Sequence, residues 1–354
     1  MTRSFLLLTV LAACNNGSDD LDDTDVLESG LALFGNSAHD PSLLSVTTVA
    51  DSGDELDDPT DVAVHPDGHE VWVIQKDDES MVIIDLDGGS DHVRGSSHFM
   101  AQPMGLAFSV DGDTMATIHE TDELTQGAAT PEDFMGPTMW PADSDDFDAD
   151  HASHLDMLHN SPNGVGIASE GDNVYWVFDG YHDALTRYDF ADDHGAGGAD
   201  HSDGLVERWV EGEVDRVPDV PSNLVFDQGH LYVADSGNGR IAVLDTNTGT
   251  GGGNVGPNYD GTDQTYVEDA VLTTLVDTAD GIPLNTPSGL ALHDNVLYVG
   301  DQATGKLYAY DLAGTLLDWV PLDVGELAGI DVDAEGNLYY LDRGASTLYR
   351  IEAP

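Results

Sequence analysis

The sequence predicts an all-β chain folded as a six-bladed β-propeller, on three observations. A Pro-x-Gly-apolar-Ala type signature recurs six times, its third position falling at residues 61, 105, 164, 223, 289 and 329. Behind the signatures come turns rich in Asp, Gly or Asn, then further short runs of β-branched, aromatic and aliphatic residues. One more such run, residues 43–49 (LLSVTTV), precedes the first copy and has strand composition. Three or four short strands per repeat of about 40 residues mark radial blades rather than a solenoid.

The chain begins Met1-Thr2-Arg3, continues with an apolar stretch over 4–10, and reaches Leu11-Ala12-Ala13-Cys14. This leader resembles a bacterial lipoprotein signal peptide. The resemblance implies a signal peptide over 1–13, lipidation at Cys14, and a membrane-attached protein of the bacterial cell envelope. By resemblance to the lipoprotein sorting rule of enteric bacteria, Asn15 after the cysteine favours the outer membrane or cell surface over the inner membrane. Cys14 is the single cysteine, so no intramolecular disulfide can form. Residues 14–42, in which NNGSDDLDDTD follows Cys14, read as an acidic tether with little to bury. No later apolar run approaches the roughly 18 residues a spanning helix needs.

Residues 43–354 are then one propeller domain. Second strands fall at 70–74, 174–178, 231–234, 296–300 and 338–341, and third strands at 81–85, 185–189, 240–245, 306–311 and 347–351. In the second copy the third strand is hard to find. The sixth copy stops after its third strand, so residues 43–49 are expected to supply its outer strand and remove two open edges. Insertions occupy 125–160, 191–204 and 246–263. The last is Gly-rich and reads as a flexible linker. The run 134–141 (FMGPTMWP) reads as a packed insertion, with an apolar lid over the channel as the alternative.

Charge narrows the partners. The chain has 68 acidic and 10 basic residues, a formal charge of −58. Such a surface repels phosphate backbones and excludes nucleic acid. It suits a salty habitat, where the Debye length shrinks from about 30 Å at 0.01 M to about 3 Å at 1 M salt; a calcium-rich, cation-collecting surface is the alternative. The expected partner is a protein or small molecule at a propeller face, and the expected state is a monomer.

The units 221–245 (PSNLVFDQGHLYVADSGNGRIAVLD) and 287–311 resemble NHL repeats. That resemblance implies the propeller fold, which hosts binding modules, lactonases and lyases alike.

Blade geometry sorts the histidines. Loops between blades and between strands two and three open on one face, and the remaining loops open on the other. On the first face lie His119, His159 and His182, with Asn163 nearby. Neutral imidazoles there suit zinc, copper or iron. Asp156, Asp179 and Tyr181 are neighbouring acid/base or supporting candidates. The ordinary reading is of loop histidines bonded to backbone. His151 and His154 complete the histidine group of the first insertion. On the opposite face, loop 191–204 carries Asp192, Asp193, His194, Asp200, His201 and Asp203 among glycines. Its four aspartates are a calcium candidate; an ordinary acidic surface loop is the alternative.

The stretch Val177-Phe178-Asp179-Gly180-Tyr181 resembles the second-strand loop of peptidyl-hydroxyglycine amidating lyases, which implies a functional role for Tyr181. Where those lyases carry zinc-binding histidines, this chain has Thr60, Met104, Asn163, Ser222 and Ser288. Pro162-Asn163-Gly164 resembles the metal-binding tripeptide of gluconolactonases, which implies a ligand role for Asn163. No Gly-x-Ser-x-Gly elbow occurs. The expectation is therefore a lipid-anchored binding or scaffold module. The alternative is a metal-dependent, lyase-like or lactonase-like enzyme acting through Asp179 and Tyr181.

Overall fold

The computed structural model describes residues 30–89, 92–94, 99–123, 130–133, 135–148, 154–277 and 284–354. The leader, Cys14 and His151 lie outside the described residues. The first strand, β1 (Val46–Ala50), precedes blade one, which holds β2 (Pro59–Val64), β3 (Glu70–Gln75), β4 (Ser80–Asp85) and β5 (His92–Arg94). Blade two holds β6 (Pro103–Phe108), β7 (Thr114–His119), β8 (Thr138–Pro141) and β9 (Asp156–Met157). Blade three holds β10 (Gly164–Gly171), β11 (Val174–Asp179), β12 (Ala184–Asp189) and β13 (Leu205–Trp209). Blade four holds β14 (Leu224–Asp227), β15 (His230–Asp235), β16 (Arg240–Asp245) and, after a hairpin of β17 (Thr250–Asn254) and β18 (Asp263–Glu268), β19 (Val271–Val276). Blade five holds β20 (Pro287–His293), β21 (Val296–Asp301), β22 (Lys306–Asp311) and β23 (Leu316–Pro321). Blade six holds β24 (Leu327–Val332), β25 (Leu338–Asp342) and β26 (Thr347–Ile351).

Each blade is a four-stranded antiparallel sheet. In blade six the fourth strand is β1, which lies antiparallel to β26 with Val46 opposite Ile351. The strand starts later than residue 43 because Pro41–Leu43 forms a 3-10 turn capped by the Asp40 side chain. Ahead of it, Leu33 and Phe34 are buried among residues of blades five and six. Asp318 of β23 accepts the backbone N–H groups of Leu31 (2.9 Å) and Ser37 (3.0 Å).

The recurring glycine has a steric cause. Inner strands crowd the central channel. In blade three the recurring position is Gly166 rather than the 164 read from the sequence, because Gly166 pairs with Phe178 as Gly105 pairs with Ile118, and a Cβ on Gly166 would lie 1.9 Å from the Ser222 carbonyl oxygen. One on Gly329 would lie 2.2 Å from Asp61 Oδ1. In blades one and four, which oppose each other, Asp61 and Asn223 take that position. Asn223 Nδ2 donates to Asp61 Oδ1 across the channel at 2.7 Å. The apolar core lies between neighbouring blades. Val165, Trp176 and Leu185 of blade three, for example, pack with Leu224, Leu231 and Val233 of blade four.

Two segments differ from the sequence reading. The third strand of blade two is β8, inside the 125–160 insertion, with Met139 and Trp140 fully buried. It is short, Thr-Met-Trp-Pro, and follows an insertion that hides its register. The Gly-rich segment 246–263 is a hairpin arm rather than a free linker. Strand β18 runs parallel to β13, so a piece of blade four extends the sheet of blade three. Buried Val255, Thr262 and Gln264 fix it there. Among the described residues no helix is long and apolar enough to cross a membrane.

Candidate metal centre and channel mouth

Two elements from neighbouring blades meet at the outer rim. Asp156 comes from β9, the last strand of blade two, and His194 and His201 come from the loop between β12 and β13 of blade three. Asp156 is 1% exposed, and its Oδ1 accepts from His201 Nδ1 at 2.6 Å. His194 Nδ1 donates to the Gly195 carbonyl oxygen at 2.7 Å. A carbonyl only accepts, so the proton of neutral His194 is on Nδ1 and its lone pair is on Nε2. That Nε2 is buried without a hydrogen-bond partner among the described residues, as is Asp156 Oδ2. It lies 4.0 Å from Asp156 Oδ1.

A lone pair and a carboxylate facing each other out of water repel, and both are left undersolvated. A cation between them removes both costs. One ligand atom from each of Asp156, His194 and His201 lies within 4.8 Å of the others. Zinc holds nitrogen and oxygen at about 2.0–2.2 Å, so modest rotations close the three onto one ion. The backbone carbonyl behind His194 is the kind of outer partner that fixes a ligating imidazole.

The surroundings continue this chemistry. The His154 ring packs 5.2 Å from that of His194, and the His159 ring 6.3 Å from that of His201. The tip of the β17–β18 hairpin covers His159: Asp260 accepts its backbone N–H at 2.9 Å and bonds its Nδ1, and Tyr259 packs edge-on at 4.8 Å. Burial alone would lower the His201 pKa. The Asp156 hydrogen bond and charge, helped by Asp260 and Asp200, outweigh burial and raise it.

The residues singled out from sequence fall in separate hydrogen-bond systems. His119 is buried with Nδ1 3.2 Å from the Gly136 carbonyl and Nε2 3.0 Å from Thr117 Oγ1. Burial pushes its pKa down to about 4. His159 belongs to Asp260, and His182 Nδ1 donates to Asp179 Oδ2 at 2.9 Å. Among the described residues, the one group of three within ligand distance is Asp156, His194 and His201, not His119, His159 and His182. Asp179 is fully buried and also accepts from Ser161 Oγ (2.9 Å), Thr186 Oγ1 (3.3 Å) and the backbone N–H groups of Tyr181 and His182. A carboxylate so saturated organises its loop. Tyr181 is 42% exposed, beside the His182 ring. Asn163 is a turn residue with φ +54°, and its N–H donates to the Thr121 carbonyl.

In loop 191–204 the carboxylates and imidazoles point opposite ways. Asp192, Asp193, Asp200 and Asp203 are exposed. Asp193 caps the Gly195 N–H, Asp200 takes both the N–H and hydroxyl of Ser202, and Asp203 accepts from the Asp192 N–H. The loop thus brings histidines, not aspartates, to Asp156. The signal for this was two His-bearing insertions flanking one blade boundary; sorting loops by face separated them.

At the channel mouth on the first face, three of the chain's ten basic residues gather. Lys76 Nζ bonds Glu120 Oε2 and Asp219 Oδ1, each at 2.7 Å. Arg343 forks onto Asp58 (2.5 and 2.8 Å) and reaches Asp219 Oδ1 at 3.0 Å, while Arg216 pairs with Glu120. An adjoining cavity of about 600 Å³ is lined by Asp57, Asp77, Gln102 and Glu326 as well as by Asp58, Lys76, Asp219 and Arg343 of this network.

The NHL-repeat model matches residues 220–244, the inner strands of blade four. The chain carries an NHL repeat within a six-bladed propeller. Solved propellers share the architecture. An auxiliary nutrient binding protein from Bacteroides thetaiotaomicron aligns with TM-score 0.57 at 12% identity, over 87% of this chain and 76% of that one. Virginiamycin B lyase from Staphylococcus aureus aligns with TM-score 0.52 at 12% identity, over 88% of this chain and 100% of that one. A chain of the nidogen/laminin complex aligns with TM-score 0.52 at 16% identity, over 77% and 84%. These likenesses describe the fold of the propeller. No curated protein matches the chain in sequence.

Proposed function

We propose that this protein is a binding module of the bacterial cell envelope, lipid-anchored through Cys14, that holds a divalent transition metal, zinc or copper, at Asp156, His194 and His201. The observation that carries the metal is the buried, tautomer-fixed Nε2 of His194 facing a carboxylate with no donor between them. Three protein ligands leave a fourth position for water or a ligand group. The binding role is supported by two structurally similar chains named auxiliary nutrient binding proteins, and by a cavity at the channel mouth on the first face.

Metal analysis of leaderless protein loaded with zinc or copper and then desalted tests the centre. About one equivalent is expected in the parent, and none in Asp156→Asn or His194→Ala. Retention in both variants, or a metal-free parent, overturns it. The anchor is read separately: the full chain should partition with membranes and Cys14→Ser should release it to the soluble fraction.

A further inference from the structure

The linker from blade three to blade four is a strap across the channel mouth. From Arg216 it crosses to the far side, where Asp219 touches Lys76 of blade one, Glu120 of blade two and Arg343 of blade six. Its backbone is held independently of its side chain. The Asp219 N–H donates to Glu120 Oε1 at 3.0 Å, and its carbonyl accepts from Arg343 Nη1 at 2.7 Å.

The side chain itself is unusual. Asp219 is 62% exposed, while the two cations it bridges, Lys76 and Arg343, are 11% and 7% exposed. Its φ is +67°, a backbone region that favours glycine. Lys76 keeps Glu120 and Arg343 keeps Asp58 as fixed wall partners, so Asp219 is the second carboxylate on each. Without it, Lys76 keeps only Glu120 and Arg343 keeps only Asp58, so each cation has a donor free at the cavity mouth. In a chain this short of cations, two buried cations sharing one displaceable carboxylate are a recognition element.

We propose that Lys76 and Arg343 form a carboxylate subsite at the channel mouth, occupied in the ligand-free protein by the strap's own Asp219. The ligand class is zwitterionic, an amino acid or short peptide. Its carboxylate displaces that of Asp219, and its ammonium faces Asp57, Asp77 and Glu326 across the cavity of about 600 Å³. A purely anionic ligand would meet those three carboxylates, which is why the ammonium belongs to the assignment.

Asp219→Gly removes the competing carboxylate, suits φ +67° and keeps both backbone bonds of the strap. Calorimetric titration with triglycine, in EDTA so that the rim centre plays no part, should show binding about tenfold tighter than in the parent protein. N-acetyl-triglycine, which lacks the ammonium, should bind more weakly than triglycine. Adding Arg343→Gln to Asp219→Gly should abolish the gain, and Asp219→Asn, which keeps size and loses charge, should reproduce part of it. Equal affinity in parent and Asp219→Gly, or no binding to a folded Asp219→Gly protein, overturns the proposal while leaving the metal centre untouched. Tighter binding of the acetylated peptide overturns the ligand class.

Discussion

Asp61 occupies the position that is glycine in four other blades, and it is wholly buried. Burial raises its pKa to about 7 despite bonds from the Leu106 and Val62 N–H groups and Asn223. The unfolded chain ionises this group near 3.8. Between those values the folded state holds a proton that the unfolded state has lost, so the term favours folding at low pH and fades as pH rises toward 7. The difference is on the order of 4 kcal/mol. Asp61→Asn should therefore lose less stability than the parent between pH 5 and pH 8, as urea midpoints at the two pH values will read. Gly166 is a steric counterpart. With its Cβ placed 1.9 Å from a carbonyl oxygen, Gly166→Ala should cost about 3 kcal/mol, seen as a lowered urea midpoint at constant slope.

At the scale of elements, the hairpin β17–β18 shows what a repeat pattern hides. Four of the five residues of β17, Thr-Gly-Gly-Gly-Asn, are glycine or asparagine, which strands disfavour, and they pair because β18 is already fixed along β13. A crossing between blades depends on tertiary packing that no local window contains. The same holds for the rim centre. His194, His201 and Asp156 each stand out as polar residues, but their meeting follows from one loop folding onto the preceding blade. By contrast, the turns and inner strands were readable, because Pro-x-Gly and Asp/Asn turns encode local φ and close approach. Since Asp260 adds to the raised pKa of His201, Asp260→Asn should lower that pKa in an NMR titration of the imidazole protons, and Asp156→Asn should lower it further. An unchanged titration would detach the hairpin from the centre.

For the molecule as a whole, charge and closure dominate. With a formal charge of −58, self-repulsion is strong at low ionic strength. The melting temperature should rise as potassium chloride goes from about 0.01 M to about 1 M, where screening falls to a few ångströms. A flat response would refute the halophilic surface. The ring itself was legible because six copies of one signature fix six inner strands. What lay beyond the pattern was the course of the chain before β1, where Leu33 and Phe34 sink between blades five and six and Asp318 holds two backbone amides. That short docked segment has a mechanical meaning. A pull applied from the N-terminal side must first extract two apolar side chains and break the Asp318 clamp before any load reaches the pairing of β1 with β26. The docked segment is a strain relief for the seam of the ring.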